Sequence, residues 1–351
     1  MKKLVIYIAE TTENAQYRYR CQNVAQAIEK SNDFDVKIFL KDEIEKAERW
    51  LLGASLVVIE RQTAKDKIVL DFIEKAKAEK IKVVLDIDDL VFDYRDLPLL
   101  MRSTRGRNVC YWLGYFWGVR RIAKRVDGFI VTNDFLGKKL KRTFDKPYKV
   151  IFNSLNNEQI EESKKYLDKK PHDFRIGYFS GSPTHINDFR MVEPELLRFL
   201  DEHKEVKLDV VGYMRFSKKA EKYIEKGRIK THEPVPYLEM LKKMAEVDVN
   251  IAPLLVNDFT NCKSELKFFE AAVVETTTIA SPTYAFKKAI SSGENGFLVS
   301  SGEWYDKLEY LYENPNENKK IAKVARRYAL EHYAGKEFLG QIEEVYGYFT
   351  K

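Results

Sequence analysis

Cysteine is scarce in this chain. Its three residues, Cys21, Cys110 and Cys262, are odd in number and unevenly spaced, which argues against a disulfide framework and a zinc site and fits a reducing cytoplasm. Long apolar runs are missing as well, and no stretch has the length needed to cross a bilayer. The opening Met1-Lys-Lys-Leu-Val-Ile-Tyr-Ile-Ala9 is too short in its apolar part for a signal-peptide core and reads as a first buried strand. No charge dominates: 60 Lys and Arg face 54 Asp and Glu, a net +6 that by itself points to neither nucleic acid nor a strongly anionic partner. No Gly-x-Gly-x-x-Gly follows a first strand, which sets dinucleotide dehydrogenases aside. Internal repeats, low-complexity tracts and nucleic-acid modules are likewise absent from the pattern.

What is present suffices for two hydrophobic cores: 351 residues, 44% of them hydrophobic and 13% aromatic. Short apolar runs at 4–9, 36–39, 55–59, 82–85, 128–131 and 149–151 alternate with amphipathic helical segments, the signature of a parallel sheet covered by helices. After a polar stretch over 156–172 the alternation restarts, with runs at 175–179, 207–211, 249–252 and 278–280. An α/β chain of two Rossmann-like units is expected, with the boundary near 155–172. Helical spacing continues through Ile321, Val324, Ala325 and Tyr328, and again through Phe338, Ile342, Val345 and Tyr346.

The most informative segment is Ser180-Gly-Ser-Pro-Thr-His-Ile-Asn-Asp-Phe189, between the apolar Phe174–Phe179 and a helical pattern near Val192. A strand, a small-residue turn and a helix start present hydroxyls, free backbone N–H groups and the positive end of a helix dipole, an arrangement that suits a phosphate. A tight connection without a ligand uses the same residues. A second motif lies downstream in Asn261-Cys-Lys-Ser-Glu-Leu-Lys-Phe-Phe-Glu-Ala-Ala272, followed by Thr278-Ile-Ala-Ser281 and Gly293-Glu-Asn-Gly-Phe-Leu-Val299.

Together these motifs resemble the nucleotide-binding half of GT-B-fold glycosyltransferases, in particular the retaining, family-four-like enzymes of bacterial surface polysaccharide assembly. Tyr17-Arg-Tyr-Arg20 and Asp86-Ile-Asp-Asp-Leu-Val-Phe-Asp93 resemble parts of the other half. The resemblance implies a GT-B fold: an acceptor-side domain over 1–160, a nucleotide-sugar domain over 161–334, and a helix over 335–351 returning to the first domain. It implies that Glu270 accepts hydrogen bonds from the donor's ribose diol. Lys263, and second to it Lys267, would sit beside the diphosphate, whose charge grows as the glycosidic bond breaks. Ser180, Gly181, Ser182 and Thr184 would bind phosphate oxygens, while His185 would reach the diphosphate or acceptor or else cap the helix. Solvation on a helix surface is the alternative for Glu270 and both lysines. The extended Lys230–Tyr237 stretch, held open by two prolines and centred on Val235, would read the nucleobase.

On the acceptor side the resemblance places Arg18, Arg20, Asp88 and Asp89. Structural ion pairs are the alternative for both arginines. Asp86-Ile-Asp88 has the look of a divalent-ion pair, but its place in the first half assigns it no metal role. Two departures stand out: the Ala9–Asn14 loop lacks the consecutive glycines of many relatives, and Cys262 replaces a frequent glutamate eight positions before Glu270. The run 110–125 sets Tyr111, Trp112, Tyr115, Phe116 and Trp117 beside Arg120, Arg121, Lys124 and Arg125, either for ordinary packing or for contact with an anionic membrane. The expected activity is metal-independent, retaining sugar transfer from a nucleotide-diphosphate donor to a surface glycan or lipid-diphosphate-linked acceptor, needing no cofactor or nucleic acid, at the inner face of the membrane. The rivals are a catalytically silent GT-B binding protein and a GT-B nucleotide-sugar epimerase.

Overall fold

The computed structural model describes residues 2–64, 67–103, 107–167, 170, 173–180 and 186–351. Two six-stranded sheets form it, each entirely parallel. The first holds β1 (Lys3–Ala9), β2 (Phe34–Leu40), β3 (Ala54–Glu60), β4 (Lys82–Ile87), β5 (Gly128–Val131) and β6 (Tyr148–Val150), in the order β2-β1-β3-β4-β5-β6. The second holds β7 (Arg175–Ser180), β8 (Lys207–Gly212), β9 (Ile229–His232), β10 (Val249–Ala252), β11 (Thr277–Ala280) and β12 (Phe297–Leu298), in the order β12-β11-β10-β7-β8-β9. In that second sheet the chain winds outward from β7 and then restarts on its other side at β10. The carboxyl ends of β7 and β10 therefore flank a topological switch point, where α/β sheets bind ligands.

Apolar runs become central strands because both sheet faces are covered. Val57, Val83 and Leu85 pack with the helix Ile68–Ala78 on one face, while Val5, Tyr7, Val58 and Val84 pack on the other. Part of that second cover is the last helix, Gly335–Phe349, whose Phe338, Ile342, Val345, Tyr346 and Phe349 form one stripe against the first domain. The Tyr7 and Tyr346 hydroxyls meet at 2.8 Å. β9 and β12 fall outside the expected strands. Both are sheet edges, β9 carries exposed Lys230 and Thr231, and β12 is two residues long, so neither shows an apolar run.

The chain crosses between domains twice, and the crossings touch. Leu155 N–H donates to Tyr333 C=O at 2.9 Å, and the Phe152 ring lies 5.0 Å from His332 and 6.3 Å from Tyr333. Among the described residues no helix is long and apolar enough to cross a membrane.

Arg20 sits inside the first domain, only 1% exposed. Its Nε and Nη2 donate to the two Asp86 carboxylate oxygens at 2.8 and 3.0 Å, and Nη1 donates to Ile151 C=O at 2.7 Å and Asn153 Oδ1 at 3.1 Å. This corrects the acceptor-side assignment of Arg20: its donors are taken by Asp86 and the first crossing, and the structural ion pair is what the fold contains. Burial pushes the Asp86 carboxyl up to about 6 despite Arg20's opposing charge.

Two outcomes follow for stability. Arg20→Met strands the Asp86 carboxylate and costs about 3 kcal/mol at pH 7, measured by urea denaturation. The unfolded chain releases Asp86's proton at lower pH than the folded chain does, so stability falls as pH rises through that window; without Arg20 the window widens upward. The variant's deficit is therefore larger at pH 8 than at pH 5. Gly212, at the end of β8, has φ +100°, and a Cβ there would lie 1.8 Å from Ser180 C=O. Gly212→Ala costs at least about 2 kcal/mol in the same assay, and an unchanged midpoint would refute this reading of the Ser180 junction.

Candidate functional site

In the first sheet, β1 delivers the residues that follow it to the cleft. After β1 a helical turn over Ala15–Tyr17 widens into a π-helical turn, Arg18–Gln22, before resuming as the helix Asn23–Ile28. Insertions of this kind rotate neighbouring side chains apart, and they often occur at functional sites. Here Arg20 turns inward, while Arg18 and Tyr19 reach the second domain. The Arg18 guanidinium lies 4.8 Å from the Tyr19 ring centre and 4.1 Å from that of Tyr237.

In the second domain the helix Leu266–Ala272 carries Lys267 and Glu270 one turn apart. Its start is pinned by Asn250 on β10, whose side-chain amide donates to Lys267 C=O at 3.0 Å. Lys267 Nζ donates to Phe179 C=O beside the end of β7. Burial holds its ammonium down to about 8, while Glu270 and Asp188 pull the other way. Burial also pushes the Glu270 carboxyl up, opposed by the Tyr19 hydroxyl, which donates to Glu270 Oε1, and by Arg18.

A cavity of about 390 Å³ opens over this helix, lined by Arg18, Tyr19, Ser180, Val235, Tyr237, Lys267 and Glu270, with Met240, Leu241 and Met244 as an apolar wall. The structure thus brings together four predicted positions on the nucleotide side, Ser180, Val235, Lys267 and Glu270, with Arg18 from the first domain. A second cavity of about 180 Å³ shares Leu266 and Lys267 with the first and adds Asp88, Asp89, Asn153, Lys263 and Ser264. The two cavities adjoin at Leu266 and Lys267, with Glu270 lining one and Asp88 and Asp89 lining the other. A larger cavity of about 640 Å³ lies at the amino ends of the second sheet's strands, near Lys170, Asp173 and Asp248. It collects none of the predicted site residues and faces away from the switch point.

Lys263 spans the cleft, with Nζ 3.4 Å from Asp89 Oδ1 and 4.4 Å from the Phe259 ring centre. Asp88 is held by Arg61, whose Nε donates to Oδ1 at 2.6 Å; Arg61 also binds the Tyr115 hydroxyl and Gln16 Oε1. Burial raises the Asp88 carboxyl, but Arg61 and Arg20 outweigh it and hold it below the usual carboxylate range. The two acids of Asp86-Ile-Asp88 therefore pair with different guanidinium groups. Gly181, Ser182, Thr184 and His185 lie outside the described residues.

Cys262 is fully buried and packs into the first domain's core with Phe259. Burial pushes its thiol up. Around it the domains are tied by Lys139 to Asp258 at 2.7 Å, by the Asn133 amide to Lys263 C=O at 3.1 Å, and by the Asn153 amide to Ser264 Oγ at 2.8 Å. A glutamate at 262 would place a carboxylate in that apolar packing. Glu265 is also buried, pushed up to about 7 by burial with Tyr333 as its opposing donor, so it does not supply the missing acid.

Sequence reasoning missed Tyr19, Arg61, Gln16 and Tyr115 as site residues. Tyr19 lies within a quoted motif, overshadowed by its flanking arginines, and a π-helical turn leaves no mark in apolar spacing. Arg61 follows β3 with no motif around it.

Residues 190–344 match the family model described as glycosyl transferase-like. No curated protein matches the chain in sequence. Among solved structures, Anabaena Alr3699/HepE in complex with UDP is similar over 99% of this chain and 100% of its own at 13% identity, with a TM-score of 0.65. A glycosyltransferase from Rickettsia africae aligns over 100% and 99% of the two chains at 13% identity and TM-score 0.66. Sucrose-phosphate synthase from Thermosynechococcus elongatus aligns over 99% of each chain at 14% identity and TM-score 0.64. The chain has the GT-B fold of two Rossmann-like domains with a returning C-terminal helix, and the part of it over residues 190–344 is similar to the glycosyl transferase-like family.

Proposed function

We propose that the protein transfers a sugar, with retention and without a metal ion, from a nucleotide-diphosphate donor to a surface glycan or lipid-diphosphate-linked acceptor. The observation that carries this reading is the pair of adjoining cavities that share Lys267, one lined by Glu270 and the other by Lys263, Asp88 and Asp89. Its order matches the parts of a donor laid along the cleft: base against Val235 and Tyr237, ribose on Glu270, diphosphate by the two lysines, sugar facing the first domain's acids. HepE has been solved with UDP and with UDP-glucose, which makes a uridine diphosphate sugar the first donor to test.

Burial disfavours the charged form of Lys267, and an arriving diphosphate would stabilise that form. Lys263 and Lys267 would then offset the charge that accumulates as the bond between the sugar's C1 and the diphosphate oxygen breaks. In retaining transfer the acceptor oxygen bonds C1 on the departing side, and its proton passes to the leaving phosphate. No separate carboxylate base is needed, so the buried Cys262 is compatible with turnover.

Peripheral membrane contact is the second part of the proposal. The helix Val109–Ala123 buries Phe116, Val119 and Ile122, while Val109, Leu113 and Trp117, four residues apart, are 42%, 42% and 52% exposed. Arg107 stacks near Tyr111 and Arg121 near Trp117. An apolar stripe edged with guanidinium groups suits an anionic bilayer surface. Tyr115 of the same helix binds Arg61 beside Asp88, so membrane docking would bring a lipid-linked acceptor to the acceptor side.

Saturating UDP should raise the melting temperature of the wild-type protein by several degrees and leave Glu270→Ala unshifted. Binding without turnover of any UDP-sugar would favour the silent GT-B protein, and no shift with UDP, GDP, TDP or CDP would sink the donor site. For the membrane, the wild type should sediment with phosphatidylglycerol vesicles and not with phosphatidylcholine vesicles, and Leu113→Ser/Trp117→Ser should lose most of that binding. Equal behaviour of the two proteins would remove the helix from the proposal.

A further inference from the structure

Tyr19 belongs to the first domain by sequence and to the second by packing. It is 3% exposed and lies in the core cluster of Phe179, Leu241, Met244 and Phe269. Its ring meets Phe269 edge-on, 6.4 Å between centres, and its hydroxyl donates to Glu270 Oε1. Arg18 Nη2 approaches that hydroxyl at 3.4 Å, so phenol and guanidinium together cover the carboxylate from across the cleft.

We infer that Tyr19 is a cross-domain latch that occupies the ribose-binding carboxylate of Glu270 until a nucleotide's 2′,3′-diol displaces it. The inference rests on the assignment of Glu270 to the ribose. A carboxylate that accepts both hydroxyls of a vicinal diol must present both oxygens, and here one oxygen already receives the phenol. Tyr19 and Glu270 line the same cavity, so diol and phenol compete for the space at that oxygen. Because the backbone of Tyr19 belongs to the first domain, releasing its phenol also removes one of the contacts that join the domains at this rim of the cleft. The ties at Lys139–Asp258, Asn133–Lys263 and Asn153–Ser264 do not involve Glu270 and stay in place.

The latch has a chemical consequence beyond affinity: it makes the diol itself the release signal. A nucleotide lacking both ribose hydroxyls has nothing to exchange for the phenol and leaves the latch closed. The free protein's latched fraction lowers apparent affinity for ordinary nucleotides in proportion, a cost that removal of the phenol oxygen abolishes.

The test is calorimetric titration of UDP and 2′,3′-dideoxy-UDP into the full-length protein, wild type, Tyr19→Phe and Glu270→Gln. Tyr19→Phe should bind UDP about tenfold more tightly than the wild type, the scale of one hydrogen bond to a charged group, with dideoxy-UDP unchanged. Tyr19→Leu, which also lacks the hydroxyl, should move in the same direction and serves if Tyr19→Phe fails to fold. Unchanged or weaker UDP binding by the folded variants would overturn the latch and leave Tyr19 as a residue that merely orients Glu270. A wild type that binds both nucleotides equally, with Glu270→Gln no different, would instead overturn the ribose assignment and the latch with it, as would absence of UDP binding altogether.

Discussion

The buried guanidinium of Arg20 organises the first domain's half of the cleft. It fixes the end of β4 through Asp86, and it fixes the first interdomain crossing through Ile151 and Asn153. Asn153 in turn reaches Ser264 in the second domain. Because Arg20 is held inward within a π-helical turn, its neighbours Arg18 and Tyr19 are directed outward. One buried ion pair thus sets the position of Arg18 and Tyr19, which line the cavity over the Leu266–Ala272 helix. An ion pair of this kind contributes little net stability, since burying both charges is costly; its value here is geometric.

The electrostatic asymmetry of the cleft follows from the same economy of partners. On the first domain's side the acids Asp88 and Asp89 are matched by Arg61. On the second domain's side Lys267 is desolvated, and its nearest contact is a backbone carbonyl. A desolvated amine beside a helix start and a strand end responds strongly to a nearby anion, because the low local dielectric magnifies the interaction. Glu270 and Asp188 offset only part of the desolvation of Lys267, so the ammonium remains sensitive to any further anion that enters the cavity.

Much of this architecture was legible in the sequence, for physical reasons that can be named. Strands buried on both faces must be continuously apolar, so β1, β3, β4, β5, β7 and β10 announce themselves. β9, with its exposed Lys230 and Thr231, and the two-residue β12 carry no such run and do not. The Lys267 and Glu270 pair could be placed because helical spacing puts them on one face. Arg18 and Arg20, two residues apart, point to nearly opposite faces of an ordinary helix, but spacing does not say which of the two enters the core; packing puts Arg20 there. Arg61 was invisible because its partners, Gln16, Asp88 and Tyr115, come from three distant segments. Cys262 was noticed as a departure, but that it faces the first domain's core depends on packing across the interface.

The two chain crossings between the domains hydrogen-bond to each other at Leu155 and Tyr333, with Phe152 stacked against the second crossing. A single linker would let the halves swivel as well as tilt. Two linkers fastened side by side behave like a door hinge with two leaves: twisting about the long axis would shear the bond between them, and rotation about the line through both is the soft direction. The carboxylate of Glu270 and the phenol of Tyr19 would part along that arc, so the returning C-terminal helix, by supplying the second leaf, also determines the path by which the cleft can open.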